Sequence, residues 1–155
     1  AFEATGNLMV LDLSTTQVSG DVSAFQNMTD LALLDLSLTK VSGDIRVFNT
    51  TSRLSNLQLM STQVCGDIEV FRGTESLRFL YLLGTTVQGD IQFVTSTKNL
   101  KEVALDSTRV FGDIAVFNST RFPHMSHLYL ENTNVSGNIW SLEMLDGLLE
   151  IKFPV

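Results

Sequence analysis

The sequence has little cysteine, little positive charge and no long apolar run, and each shortage excludes a class of protein. Its one cysteine, Cys65, cannot form a disulfide within the chain, so a disulfide-stapled scaffold is excluded. Ten lysines and arginines against 17 acidic residues give a net charge of −7. This balance argues against binding to nucleic acid, because phosphate contacts need clustered basic side chains. No apolar run approaches the roughly 20 residues of a membrane-spanning helix.

The sequence also lacks the motifs of common catalytic and metal sites. Its glycines are isolated along the chain and do not form a phosphate-binding loop. The two histidines, His124 and His127, have no metal-ligand spacing, and no motif places a nucleophile beside them. We therefore expect no catalysis, no cofactor and no metal site.

The sequence is rich in repetition. The motif Leu-x-x-Leu-x-Leu-x-x-Thr-x-Val-x-Gly-Asp-Ile recurs every 23 residues, and 25 residues separate its last two glycines, Gly112 and Gly137. A fixed period in this range is typical of a solenoid, in which each unit buries its apolar side against its neighbours. Six copies run from Leu8, and a seventh begins at Leu148 and continues through Ile151 and Phe153.

Each copy predicts a short strand and a set of core residues. It opens with three apolar residues, and the last two are spaced as neighbours on one face of an extended segment. A strand that recurs once per turn stacks parallel to its copies. Seven positions per copy are predicted to point inward, and in the second copy they are Leu31, Leu34, Leu36, Thr39, Val41, Ile45 and Phe48.

On these residues the chain resembles leucine-rich repeat proteins, whose signature Leu-x-x-Leu-x-Leu-x-x-Asn-x-Leu it follows from Leu8 to Val155. The glycine and isoleucine after each valine resemble the plant-type variant. The chain departs from the family in having threonine for the usual asparagine, and an acid before each isoleucine. The resemblance implies one domain over residues 1–155, a curved right-handed coil with a concave parallel sheet of about seven strands, and convex turns or 3₁₀ segments.

The threonine of each copy is interpreted as part of a structural ladder. In the family, the asparagine at this position points inward and satisfies backbone groups that would each cost about 1–3 kcal/mol if buried unpaired. A regular threonine array also suggests ice binding, but such arrays lie on a flat exposed face, whereas this template turns the threonines inside. The ladder comprises Thr16, Thr39, Thr62, Thr85, Thr108 and Thr133.

The acid after each glycine is the second predicted ladder. A short acid in a turn often accepts hydrogen bonds from nearby backbone N–H groups, and the sixth copy has Asn138, which can do the same without charge. The alternative is a row of calcium sites, although one carboxylate per repeat is poor coordination for a hard cation. The row comprises Asp21, Asp44, Asp67, Asp90 and Asp113.

A partner surface is predicted on the concave side, where strand residues between the core positions are free of the repeat. Large apolar and aromatic residues cluster on the middle strands, with acids at either end. A contiguous exposed apolar patch with a charged rim marks a contact surface. The candidate partner-binding residues are Leu33, Leu38, Met60, Phe79, Tyr81, Leu83 and Tyr129.

The sequence therefore favours a non-catalytic module that binds a protein or peptide on its concave face. One alternative is a structural accessory subunit of a larger complex, such as a membrane-associated photosynthetic complex of an alga, because the Thr-x-Val-x-Gly-Asp repeats look similar to algal modules. The terminal strands have almost no polar caps, so we expect a fragment or subunit of something larger. Another alternative is recognition of an extracellular ligand or carbohydrate. Sequons at Asn27, Asn49, Asn118 and Asn134 favour an extracellular or luminal location.

Overall fold

The computed structural model describes residues 7–118, 120–142 and 147–152, and these form a leucine-rich repeat solenoid. The described residues contain thirteen short strands, numbered β1 to β13 in chain order. Odd-numbered strands pair in parallel, in chain order, in one seven-stranded sheet. They are Val10–Asp12, Leu33–Asp35, Asn56–Gln58, Phe79–Tyr81, Glu102–Ala104, His127–Tyr129 and Glu150–Lys152. This sheet matches the sequence-based prediction of about seven stacked parallel strands.

The even-numbered strands form a second, six-stranded parallel sheet that the repeat pattern does not predict. They are Ser19–Asp21, Lys40–Asp44, Gln63–Asp67, Thr86–Asp90, Arg109–Asp113 and Asn134–Ser136. Its register differs from that of the first sheet, because Gly43 pairs with Val64, two residues short of the equivalent Gly66. A slip of two residues preserves which face each side chain occupies, so the apolar pattern does not reveal it.

A short 3₁₀ helix follows each strand of the second sheet and completes the turn. These helices are Val22–Phe25, Ile45–Thr50, Ile68–Phe71, Ile91–Ser96, Ile114–Val116 and Ile139–Leu142. Each opens on the branched apolar residue of the motif, whose side chain packs inward in the first five helices. The predicted 3₁₀ segments on the side away from the first sheet are therefore present.

The core is one continuous apolar column, built from equivalent residues of successive turns. In the middle repeats the predicted inward positions are buried, as Leu57, Val64 and Ile68 illustrate with no exposed surface. Toward the ends the same positions are half-buried, as at Leu11, because they have a described neighbour on one side only. Phe153, which the sequence assigns to the seventh copy, lies outside the described residues.

Candidate functional site

The face of the seven-stranded sheet opposite the core carries three parallel rows of side chains, here called the seven-strand face. Sheet pairing aligns the first row as Val10, Leu33, Asn56, Phe79, Glu102, His127 and Glu150. It aligns the second row as Asp12, Asp35, Gln58, Tyr81, Ala104, Tyr129 and Lys152. Ser14, Ser37, Met60, Leu83, Asp106 and Glu131 follow two residues later and form the third row. Adjacent strands lie about 4.8 Å apart, so residues within a row are neighbours.

Apolar side chains concentrate on and just after β3, β5 and β7, which are neighbours in the sheet. Leu33 and Phe79 flank Asn56 in the first row, and Met60 and Leu83 are adjacent in the third row. Each of these four apolar side chains is half-buried, which leaves part of its surface open to solvent. We call Leu33, Met60, Phe79, Tyr81 and Leu83 the apolar patch.

Two other predicted partner residues lie outside this patch. Leu38 is 57% exposed and lies in the turn after β3 with a positive φ of 58°, and its backbone N–H donates to the Met60 carbonyl at 2.9 Å. It therefore lies at the patch edge. Tyr129 lies on β11, two strands beyond Tyr81, with the small residue Ala104 between them. The structure therefore places Tyr129 apart from the other predicted partner residues.

Two buried polar atoms in or beside the patch have no hydrogen-bond partner within the described residues, namely Asn56 Oδ1 and Ser37 Oγ. A buried acceptor without a donor costs about 1–3 kcal/mol. Asn56 lies between Leu33 and Phe79, where an apolar residue would fit the row better. Sequence reasoning did not single out Asn56, although its place in an otherwise apolar cluster was a readable signal.

Tyr81, in the patch, and Tyr129, outside it, each donate a hydrogen bond to a glutamate of the next strand in the sheet. The Tyr81 hydroxyl donates to Glu102 Oε2, and the Tyr129 hydroxyl donates to Glu150 Oε2 at 2.8 Å. Burial and the Glu102 carboxylate raise the pKa of Tyr81, and the Glu150 carboxylate is the main cause that raises the pKa of Tyr129 to about 12. Both phenols are therefore neutral donors, and both glutamates are oriented acceptors.

A histidine and a lysine lie beside these glutamates. His127 Nδ1 is 3.5 Å from Glu102 Oε1 and 3.0 Å from Ser126 Oγ. Lys152 Nζ lies 3.6 Å from Glu150 Oε1 and 5.1 Å from the centre of the Tyr129 ring, within range of a cation–π interaction. The C-terminal part of the face is thus polar, with Glu102, His127 and Glu150 in the first row and Lys152 in the second.

Asp106, in the third row, is a half-buried carboxylate, and no lysine or arginine of the described residues forms an ion pair with it. Its Oδ1 accepts a hydrogen bond from the Glu131 N–H at 2.9 Å. Burial raises the pKa of Asp106, because removing water disfavours the charged form. Asp106 therefore lies in an environment where a cation would be favourable.

The six ladder threonines all make the same hydrogen bond. Each hydroxyl donates to the carbonyl three residues earlier in its own repeat, at 2.5 to 2.7 Å, as in the 2.7 Å bond from Thr62 to Leu59. Thr39, Thr62, Thr85 and Thr108 are buried, whereas Thr16 is exposed at the first turn. The hydroxyls thus pair a strand-end carbonyl within one turn and do not bridge two turns.

A second set of buried threonines was missed by sequence reasoning, namely Thr51, Thr74 and Thr97. The hydroxyls of Thr51 and Thr97 donate to the carbonyls of Phe48 and Val94, at 2.6 and 3.0 Å. The signal was available, because these threonines also recur at the repeat spacing.

The ladder acids cap the 3₁₀ helices. In each of the five repeats, the carboxylate Oδ1 accepts a hydrogen bond from the backbone N–H two residues later, at 2.7 to 2.9 Å. In the sixth repeat, Asn138 Oδ1 accepts the equivalent bond from the Trp140 N–H at 3.0 Å. The Ser23 N–H lowers the pKa of Asp21, and the Arg46 guanidinium lowers the pKa of Asp44. No group of three or more potential metal ligands is found among the described residues.

A cleft of about 370 Å³ lies on the 3₁₀ side, between the first two repeats. It is lined by Asp21, Ser23, Gln26, Asp44, Arg46, Val47 and Asn49. Its arginine already forms an ion pair with Asp44 at 2.6 Å.

No family model and no curated protein matches the sequence. The fold is similar to that of solved plant receptors and bacterial internalins. The Arabidopsis receptor kinase HAESA, in complex with the peptide hormone IDA and the co-receptor SERK1, superimposes with a TM-score of 0.81 and 23% identity, covering 97% of this chain and 26% of that one. The plant peptide hormone receptor RGFR1, in complex with RGF2, gives 0.80 and 20%, covering 91% and 23%.

An internalin, InlF of Listeria monocytogenes, gives a TM-score of 0.72 and 20% identity, covering 90% of this chain and 39% of that one. These likenesses show that the chain has the leucine-rich repeat fold. The chain spans about a quarter of the length of the plant receptors named above. The described residues contain no helix with the length and apolar character needed to cross a bilayer.

Proposed function

We propose that the chain is a non-catalytic interaction module that binds a protein or peptide through the seven-strand face, on the concave side of the solenoid. The observation that carries the proposal is the apolar patch, which spans three neighbouring strands on the face opposite the core. Apolar groups gathered in one exposed patch gain free energy when a partner removes them from water, at about 25 cal/mol per Å². Aromatic and methionine side chains are also enriched at interfaces.

Two further features support this function. The buried Asn56 Oδ1 has no donor, and rotation of its side chain toward a bound peptide would let a backbone N–H supply one. Two of the similar solved structures are complexes with peptide hormones, IDA and RGF2. Their fold is shared with this chain, and a peptide or protein partner for this chain is proposed by that analogy.

The test begins with a partner isolated from native material, which is then purified and titrated against variants. The triple substitution of Met60, Phe79 and Tyr81 by serine should abolish binding while preserving circular dichroism and cooperative unfolding. The matched control is the triple substitution of Arg46, Glu69 and Gln92 by serine, at exposed and equivalent positions of three repeats on the 3₁₀ side. Retained affinity in the first variant, or equal losses in both, would reject the seven-strand face as the binding surface.

A structural accessory subunit is the second candidate, favoured by apolar exposure at the C-terminal end of the described coil. Ile139, Trp140 and Leu149 are 62%, 71% and 78% exposed, although Ile139 is equivalent to the buried Ile114 of the preceding repeat. In this alternative, substitution of Ile139 and Trp140 by serine should release the partner, whereas the seven-strand variant should still bind it. Titration of both variants therefore separates the two functions.

We also propose an extracellular or luminal location. Three sequon asparagines, Asn27, Asn49 and Asn134, are exposed and accessible to a glycan. Expression through a secretory pathway should give glycoforms that an amidase removes, and substitution of each asparagine by glutamine should remove one glycan. Secretion of the unmodified chain would remove the support that the sequons give to this location.

A further inference from the structure

The charges of the seven-strand face are strongly unequal in sign. The three rows contain six carboxylates and one lysine, and the lysine already forms an ion pair with a glutamate. The carboxylates are Asp12, Asp35, Glu102, Asp106, Glu131 and Glu150. A partner that covers this face therefore gains from positive charge and is penalised for negative charge.

The carboxylates near the apolar patch differ in how well they are satisfied. Asp12 and Asp35 each accept a hydrogen bond from the backbone N–H two residues later, at 2.9 Å. One carboxylate oxygen of Glu102 accepts a hydrogen bond from the Tyr81 hydroxyl, and the other lies 3.5 Å from His127 Nδ1. Asp106 accepts one backbone N–H, and no described lysine or arginine forms an ion pair with it or with Glu131.

Asp106 and Glu131 are neighbours in the third row, in line with Met60 and Leu83. Backbone hydrogen bonds join these positions directly, since Ser61 N–H donates to the Leu83 carbonyl and Ser107 N–H donates to the Glu131 carbonyl, at 2.9 and 2.8 Å. A single row thus runs from apolar side chains to two carboxylates with which no described lysine or arginine forms an ion pair. An extended segment lying along this row would meet the apolar residues first and the acids next.

The distance between strands sets how many residues separate the apolar and the basic side chain of such a segment. The centre of the Met60–Leu83 pair and the centre of the Asp106–Glu131 pair are two strands apart, which is about 10 Å. In the polyproline II conformation an extended peptide advances about 3.1 Å per residue and repeats its side-chain direction every three residues, so a residue three positions along reaches this distance on the same face. In the β conformation side chains alternate, so the residue on the same face is the fourth, about 13 Å along, and the flexible stem of arginine or lysine spans the difference.

We propose that the seven-strand face recognises an extended segment of a partner protein that carries one bulky apolar side chain and, three or four residues away, an arginine or lysine. The apolar side chain covers Met60, Phe79 and Leu83, and the cation lies against Asp106 and Glu131. This inference depends on the proposed function and adds the chemistry of the partner to it. The same charges disfavour an acidic segment.

The probe is a displayed library of random twelve-residue peptides, selected in parallel on the wild-type chain and on three variants. The first variant, Asp106→Asn with Glu131→Gln, removes two charges and keeps the acceptor oxygens. The second, Asp90→Asn with Asp113→Asn, removes two charges from the 3₁₀ side, where Asn138 shows that asparagine makes the capping bond. The third is the triple serine substitution of Met60, Phe79 and Tyr81. Thermal unfolding checks that all variants fold.

Wild type and the Asp90/Asp113 variant should enrich peptides with arginine or lysine three or four residues from a large apolar residue. The Asp106/Glu131 variant should bind the selected peptides about tenfold more weakly and should not enrich basic residues. Enrichment of apolar peptides without basic residues, or equal affinity in the Asp106/Glu131 variant, would overturn the inference while leaving the proposed function standing. Selected peptides that still bind the triple serine variant would overturn the proposed function itself. A library with no enriched sequence would overturn the inference.

Discussion

The carboxylate of Asp44 occupies the space that a side chain at Gly66 would need. A Cβ built on Gly66 would lie 2.5 Å from Asp44 Oδ1, and a Cβ on Gly43 would lie 2.6 Å from Asp21 Oδ1. The capping acid of one repeat therefore packs onto the glycine of the next repeat. In each Gly-Asp dipeptide after the first, the glycine therefore contacts the acid of the preceding turn, and the acid contacts the glycine of the following turn. This explains why the two residues recur together.

Replacement of Gly66 by alanine should destabilise the chain more than replacement of Gly20 by alanine. Both glycines have a positive φ, 119° and 129°, and alanine there costs about 1–3 kcal/mol. At Gly66 the clash with Asp44 adds about 1–3 kcal/mol, whereas nothing lies within 4 Å of a Cβ on Gly20. Urea denaturation measures both costs. In a chain that also carries Asp44→Ala, the loss of stability caused by Gly66→Ala should be smaller. Equal losses for Gly66→Ala and Gly20→Ala would contradict the contact.

Replacement of Asp67 by alanine should cost about 1 kcal/mol, and replacement by asparagine should cost much less. Asp67 Oδ1 accepts the Glu69 N–H at 2.8 Å, and Asn138 makes the equivalent bond to Trp140 at 3.0 Å. The acceptor oxygen, and not the charge, is therefore the stabilising feature. Chemical denaturation compares the variants. A large and equal loss in both would instead indicate that the charge matters, as a cation site would require.

Replacement of Thr62 by valine should destabilise the chain by about 1–2 kcal/mol, although the two side chains have nearly the same shape. The Thr62 hydroxyl donates to the Leu59 carbonyl at 2.7 Å in the buried core, and valine leaves that acceptor with one partner fewer. The control is Thr50→Val, at an exposed position of the 3₁₀ side. Thermal unfolding is the measurement, and an unchanged midpoint for Thr62→Val would show that the hydroxyl is dispensable.

Replacement of Asn56 by leucine should raise stability and lower affinity for a partner. The substitution removes a buried acceptor without a donor and continues the apolar row between Leu33 and Phe79, so we expect a gain of about 1 kcal/mol. If Asn56 serves a bound peptide, the same variant should bind more weakly. Unfolding and titration of one sample measure both quantities. A gain in stability with unchanged affinity would assign Asn56 no part in binding.

The two tyrosines should lower stability at alkaline pH. Each phenol donates to a glutamate only when neutral, so its pKa in the folded chain lies above the ordinary value near 10. The stabilisation is therefore fully present below pH about 10 and is lost as pH rises through the folded pKa, about 12 for Tyr129. Tyrosinate absorbance should show no transition near pH 10 before unfolding. In the Tyr129→Phe variant Tyr81 is the remaining tyrosine, so the absorbance change can be assigned to it. A tyrosinate transition near pH 10 in the folded chain would refute the Tyr–Glu contacts.

The repeat by itself determined the solenoid, the core and the equivalence of positions between turns. Apolar residues at one fixed period can be buried together only by stacking one turn per period, and that leaves little choice of architecture. The same logic placed Leu33 and Phe79 on strands that flank the third copy, and Met60 just after the strand of that copy, since these residues belong to successive copies.

Tertiary structure alone decided what happens between unlike side chains of neighbouring turns. The second sheet and its two-residue slip, the pairing of Tyr81 with Glu102, and the partial burial of Asp106 have no signature in the period. A repeat pattern specifies which residues are equivalent, whereas these features depend on rotamers, strand register and loss of water at positions where the repeats differ. Those differing positions form the proposed binding surface, so the fold and most members of the apolar patch could be inferred from the sequence, whereas the hydrogen bonds and the burial of charged groups on the seven-strand face could not.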